Sequence, residues 1–232
     1  MGAMTMTGWT PGRVLVIGAS RGIGLELVRQ YRAGGADVTA TARDAAGQAR
    51  LGALGATALV LDVADAAGGA LPPAAFDGTA FDAVWYVAGV YGPRSAGLEP
   101  PTQAEFDQVM HANVLGAMRV LPQVVPALAR GARLAVISSA MGSIGARSGS
   151  SGWLYRASKA ALNSVLKDAA SQLQGRAICV SCHPGWVRTD MGGPSATLSP
   201  GQSAADLRAT LARLTPAQHG SFLNHDGQPI AW

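Results

Sequence analysis

A short apolar run, Arg13–Ile17, leads straight into Gly18-Ala-Ser-Arg-Gly22-Ile-Gly24, and helical periodicity starts at once with Ile23, Leu27 and Tyr31 on one face. Few folds turn a strand into a helix through three glycines. Gly18 allows the tight turn, Gly22 lets the backbone approach a phosphate, and Gly24 permits close packing of helix on strand. The first turn of such a helix offers free N–H groups and a favourable dipole to an anion. The spacing is G-x-x-x-G-x-G rather than G-x-G-x-x-G, and Ser20, Arg21 and Ile23 complete a candidate nucleotide-binding loop.

The same alternation continues along the chain. Asp37–Ala42, Ala58–Leu61, Asp82–Val87, Arg133–Ile137, Ala177–Cys182 and Ser221–Leu223 read as strands. Helical patterns cover Ile23–Ala33, Ala45–Leu54, Thr102–Leu128 (with Pro122 as a kink point), Tyr155–Gln174 and Ala204–Leu214. The segment Ala66–Ala80 carries Gly68, Gly69, Pro72 and Pro73, so any helix there must be short and irregular. This pattern predicts an α/β fold, a doubly wound Rossmann-type domain with a parallel sheet of about seven strands covered on both faces. At 232 residues, 48% hydrophobic and 14% charged, one such domain can bury an ample core, expected over 13–232 behind a flexible tail at 1–12.

The net charge of +4 comes from scattered arginines with no basic run, which argues against nucleic acid as a partner. No stretch of 18 apolar residues predicts a membrane span, no signal-peptide layout is visible, and a cytoplasmic location is expected. Cys179-Val-Ser-Cys182-His183 spells the haem-attachment pattern, but on a strand its two cysteines should point to opposite faces, so they read as core residues. No metal is expected.

Cofactor choice falls at the end of the second strand, where Ala42 stands in place of a carboxylate and Arg43 follows. With Arg21, Arg43 suits a ribose 2′-phosphate, which favours NADP(H). The rival has Asp44 turned inward and Arg43 merely solvated. Farther on, Tyr155-Arg-Ala-Ser-Lys159 places a phenol and an ammonium one helical turn apart. A cation beside a tyrosine favours the phenolate and makes proton transfer feasible near neutral pH.

In these motifs and their order the chain resembles the short-chain dehydrogenase/reductase family from Arg13 to Trp232. The glycine loop is followed by Asn113-Val-Leu-Gly116, Ile137-Ser-Ser-Ala-Met-Gly142, Tyr155 with Lys159, and His183-Pro-Gly-Trp-Val-Arg-Thr-Asp-Met191. The terminal Asp226-Gly-Gln-Pro-Ile-Ala-Trp232 adds a likeness to the C-factor-like and sniffer-like carbonyl reductase branch. The resemblance implies an Asn113–Ser139–Tyr155–Lys159 tetrad. Tyr155 would be the acid or base, Lys159 would lower its pKa and hold the ribose, Ser139 would bond the substrate oxygen, and Asn113 would hold a relay water. It also implies that Asp62 and Val63 flank the adenine, that Ala88 and Gly89 lie beneath the adenosine, and that Pro184, Gly185, Val187 and Thr189 orient the nicotinamide. One departure is Tyr86-Val-Ala-Gly89, where the family has Asn-x-Ala-Gly.

The implied activity is NADPH-dependent interconversion of a carbonyl and an alcohol on a small, apolar substrate; a non-catalytic NADP(H)-binding signalling protein is the alternative. Tyr91, Met141, Trp153, Trp186 and Met191 fall at the outer ends of strands, where open sheets bind ligands, and are candidate pocket walls. Gly192–Gly201 has the composition of a lid. By the same resemblance the two long helices would form subunit interfaces in a homodimer or homotetramer.

Overall fold

The computed structural model of the protein describes residues 9–65, 69–76 and 80–232. Among them, seven strands form one parallel sheet: β1 (Arg13–Ile17), β2 (Asp37–Ala42), β3 (Thr57–Val60), β4 (Phe81–Tyr86), β5 (Leu128–Ile137), β6 (Ala177–His183) and β7 (Ser221–Asn224). Their order is β3-β2-β1-β4-β5-β6-β7, so the winding reverses between β1 and β4. The crevice outside the carboxyl ends of these two strands is where such sheets bind ligands.

Strand alternation explains both layers of the core. Val14 and Val16 pack with α1 (Gly22–Ala33), α2 (Ala45–Ala53) and α6 (Pro200–Arg213), whereas Leu15 and Ile17 pack with the helices on the other face. All four are fully buried, which is why β1 reads as an unbroken apolar run. Cys179 and Cys182 likewise fall in opposite layers, as free thiols. Burial pushes both up to about 12, so neither is a ready thiolate.

The continuous helix expected over Thr102–Leu128 is broken into three pieces. A capping box at Thr102 and Glu105 opens α3 (Gln103–Met110), a π-helical turn follows at His111–Leu115, and α4 (Gly116–Val124) completes the run. Pro126 then ends the helix in a single 3₁₀ turn. β5 starts at Leu128, earlier than expected, because its pairing with β4 jumps from Phe81–Leu128 to Ala83–Arg133, with Gly131 left-handed between them. The last long helix, α5 (Trp153–Gln172), begins just after a left-handed Gly152. Within 66–80 the described part holds one 3₁₀ turn at Pro73–Phe76; residues 66–68 and 77–79 lie outside the described residues. No helix among the described residues is long and apolar enough to cross a membrane.

The expected tail, 1–12, lies outside the described residues as far as residue 8. From Trp9 onward it is attached to the body. Trp9 packs against the α1/α6 layer, and the Gly12 N–H donates to the Asp82 carboxylate at 2.8 Å. Trp9 also carries the Arg133 guanidinium, 4.0 Å from its ring centroid. Arg133 donates to the Leu211 and Leu214 carbonyls, where a cation satisfies the C-terminus of α6. Arg133→Ala should therefore lower stability by about 2–4 kcal/mol in urea unfolding, since it removes charge-assisted bonds to otherwise orphaned carbonyls. Nucleotide affinity should not change.

Candidate active site

The glycine loop folds as its spacing predicts. Gly18 is left-handed (φ +83), and a side-chain carbon there would lie 2.6 Å from the Ala88 backbone nitrogen. At Gly24 it would lie 2.5 Å from the Gly18 carbonyl oxygen, so helix and strand meet with no room for a methyl group. The N-cap residue Arg21 makes no side-chain cap on α1, which leaves N–H groups of its first turn to a ligand. Beside this turn opens a cleft of about 640 Å³, within the usual range for ligand sites.

The walls of this cleft gather most of the expected residues. They include Gly18, Ser20, Arg21, Gly22, Ile23 and Arg43, then Asp62, Val63, Ala88 and Gly89, and also Tyr155, Lys159, Pro184, Thr189 and Met191; Thr189 comes against the glycine loop itself, 3.2 Å from where a side-chain carbon at Gly22 would lie. Gly24, Gly185 and Val187 are not among its walls; Gly24 and Val187 are buried, and Gly185 supports the turn after β6 from a left-handed conformation. Asp44 lines the same cleft and also holds a helix end. It caps α2, accepting the Gly47 N–H at 2.7 Å. Arg43 is exposed beside it. Arg21 forms an ion pair with Asp190 that ties the glycine loop to the turn after β6.

The Tyr155 ring is buried, stacked on Tyr91, and its hydroxyl lies 3.9 Å from the Met191 sulfur. Burial pushes the phenol up to about 12; a hydrogen bond with Ser139 pulls the other way without prevailing. Lys159 is also buried, which lowers it to about 8. Its ammonium donates to the Ile137 carbonyl at 2.9 Å and lies 5.7 Å from the Tyr155 ring centroid. Desolvation is the largest influence on the phenol, and the ammonium of Lys159 is turned to a carbonyl.

The neighbouring serines separate clearly. Ser139 faces Tyr155 and accepts the Met141 N–H at 3.1 Å. Ser138 donates to the Lys159 carbonyl and Ser143 to the Ala231 carbonyl. A side-chain carbon at Gly142 would lie 2.8 Å from the Lys159 carbonyl carbon, so this glycine sets how closely the Ser139 turn approaches α5.

Asn113 is a brace. Its amide donates to the Val90 carbonyl at 2.8 Å and to Ser158 at 2.9 Å, and its oxygen accepts the Val90 N–H at 2.8 Å. Both amide protons are spent, and the amide oxygen keeps a second lone pair that could accept from a relay water. Tyr86, at the position where the family has Asn, is also spent: its hydroxyl donates to the Ala112 carbonyl in the π-turn.

Of the five candidate pocket residues, Met191 lines the cleft and Tyr91 stacks on Tyr155. Met141 approaches Tyr91 around Gly152, where a side-chain carbon would lie 3.3 Å from the methionine methyl and 2.5 Å from the Tyr91 hydroxyl. The two tryptophans do other work. Trp153 donates to the Glu99 carbonyl and lines a separate cavity of about 150 Å³; Trp186 is 53% exposed and donates to the Gly192 carbonyl. The expected lid is pinned: Arg188 bonds the Ala196 and Thr197 carbonyls, and its backbone N–H bonds the Leu198 carbonyl. Sequence reading missed Arg50, Gln108, Arg188 and Asp190 in the cleft wall. Arg50 holds the loop by donating to the Ser20 carbonyl, a pairing that only the fold brings together.

Residues 13–197 match the short chain dehydrogenase family model. The chain is 36% identical to C-signal of Myxococcus xanthus over 132 residues, 56% of this chain and 80% of that protein. Its backbone is similar to that of carbonyl reductase Sniffer of D. melanogaster, with TM-score 0.82 and 27% identity over 95% of this chain and 99% of the other. It is also similar to NADPH-bound carbonyl reductase from chicken fatty liver, with TM-score 0.81 and 28% identity over the same shares.

Proposed function

Since the chain belongs to the short-chain dehydrogenase/reductase family, we propose that residues 13–232 act as an NADPH-dependent carbonyl reductase with Tyr155 as the proton donor. The observation that carries this reading is the buried Tyr155 phenol facing Ser139, with the Lys159 ammonium 5.7 Å from its ring, in the wall of a cleft that the glycine loop also lines. NADPH-bound and sniffer-type carbonyl reductases among its structural neighbours support the same reading.

The cleft residues fit the cofactor: the uncapped first turn of α1 would hold the pyrophosphate, Arg43 the 2′-phosphate, and Lys159 the ribose hydroxyls. The cofactor supplies the hydride. Ser139 orients the substrate oxygen and Tyr155 protonates it, at the place where Met191 now lies against the phenol. Tyr91, Met141 and Met191 supply the apolar surroundings that favour a small aromatic or aliphatic carbonyl. We also retain the expectation of a homodimer or homotetramer.

Absorbance loss at the nicotinamide band on adding aldehydes, diketones or quinones tests the reading, and its pH profile adds a signature. Reduction should be flat from about pH 6 to 7.5 and fall as pH rises through about 8, where Lys159 loses the charge that holds the ribose. This fall would not be unfolding. A lysine with a lowered folded pKa is bound by fewer protons when folded, so its contribution to stability rises between about 8 and 10.5. The two buried cysteines oppose it only above about pH 9. A reductase rate that climbs through pH 8 to 9 contradicts the assignment.

The C-signal likeness favours a second reading, an NADP(H)-binding protein that acts through a partner without turnover. NADPH binding with no substrate in the screen would favour it.

A further inference from the structure

Tyr155 is one layer of a stack. The Tyr91 ring lies on it with centroids 4.5 Å apart and planes 24° from parallel, and the Arg94 guanidinium lies 5.1 Å from the centroid of Tyr91. Both residues belong to the segment that follows β4, and that segment is sewn to elements bearing the catalytic groups. Val90 exchanges hydrogen bonds with Asn113, Arg94 donates to the Met191 carbonyl at 2.9 Å, and the Ser95 carbonyl accepts the Gly152 N–H at 3.2 Å. Gly152 is the left-handed residue that starts α5, and a side-chain carbon there would lie 2.5 Å from the Tyr91 hydroxyl. Tyr91 is therefore wedged between the ring of Tyr155 and the start of the helix that carries it.

We propose that Tyr91, backed by Arg94, is a positioning residue for proton transfer, holding the Tyr155 ring so that its hydroxyl meets the substrate oxygen. The inference rests on Tyr155 being the proton donor. A phenol oxygen sits at the end of a long lever, so a small tilt of the ring displaces it by a large fraction of an ångström. Misplacement of about 1 Å can cost a reaction on the order of a hundredfold. A stacked neighbour fixed at several points suppresses that tilt more firmly than loose apolar contacts do.

The test uses the full-length protein, NADPH and an aromatic ortho-quinone as the carbonyl probe. Tyr91→Leu keeps an apolar wall but removes the stacking face. Its kcat should fall on the order of tenfold, with KM and the NADPH Kd within about twofold of wild type. Its solvent deuterium isotope effect on kcat should rise, because proton transfer limits the rate more. Tyr91→Phe, which keeps the ring, should recover most of that loss. Arg94→Gln leaves Tyr91 in place and should give a smaller loss with the same isotope signature, and it decides the matter if the leucine variant does not fold. A raised KM with kcat and isotope effect unchanged would mark a pocket wall, and either that result or a wild-type rate in Tyr91→Leu overturns the proposal. Tyr155→Phe, assayed alongside, separates the two claims. If it keeps its rate, the donor assignment fails; if it is inactive while Tyr91→Leu is normal, only the positioning role fails.

Discussion

Replacing Tyr155 by phenylalanine is expected to lower kcat for carbonyl reduction by about 10²–10⁴-fold, the usual worth of a positioned proton donor. That is about 3–5 kcal/mol of barrier. The substitution removes one oxygen and keeps the ring on Tyr91, so packing should survive. The NADPH Kd should change by less than about threefold, because the glycine loop, Arg43 and Lys159 are untouched. A loss shared equally between binding and turnover would mean that the hydroxyl serves the cofactor and not the substrate. Unchanged turnover would remove Tyr155 from the chemistry altogether.

Arg43→Asp is expected to weaken NADPH on the order of a hundredfold and to leave NADH binding within about threefold. The guanidinium is an exposed cation in the cleft wall, just after β2, where 2′-phosphate and 2′-hydroxyl cofactors are told apart. Its neighbour Asp44 also lines the cleft, but one of its oxygens is held as the cap of α2 by the Gly47 N–H. Introducing a carboxylate at position 43 adds repulsion to the lost attraction. Equal weakening of both nucleotides would point to damage in the loop, and no weakening of either would leave the 2′-phosphate without a partner.

The parts of this site that follow a period were legible in the sequence. A run of apolar residues ending at Ile17, three glycines and a helical stripe allow one local geometry, and that geometry carries Gly18 and Gly24 into contacts too tight for a side chain. Tyr155 and Lys159 were legible for the same reason, since residues four apart share a helix face. Their electrostatics were not. Spacing places the ammonium near the phenol, but burial, which sequence spacing does not encode, drives Tyr155 up and Lys159 down.

The π-turn at His111–Leu115 was invisible because each of its residues also tolerates an α-helix. Within it Asn113 bonds Val90 and Ser158, partners that lie far away in the chain. Trp153 and Trp186 were assigned to the pocket from their place near strand ends, yet neither the first residue of a helix nor one on a loop has a period to say which way it points. The bonds that pin the loops, Arg21 to Asp190 and Arg94 to Met191, join residues far apart in the chain. No local pattern announces them.

The most direct test of the central claim is a fluorescence titration of the purified protein with NADPH and with NADH, followed on the same sample by turnover with aldehydes, diketones and quinones. The account predicts saturable NADPH binding, tighter than NADH, and loss of nicotinamide absorbance with at least one carbonyl. Failure of both nucleotides to bind would contradict it at the glycine loop, and with it the assignment of every residue in the cleft.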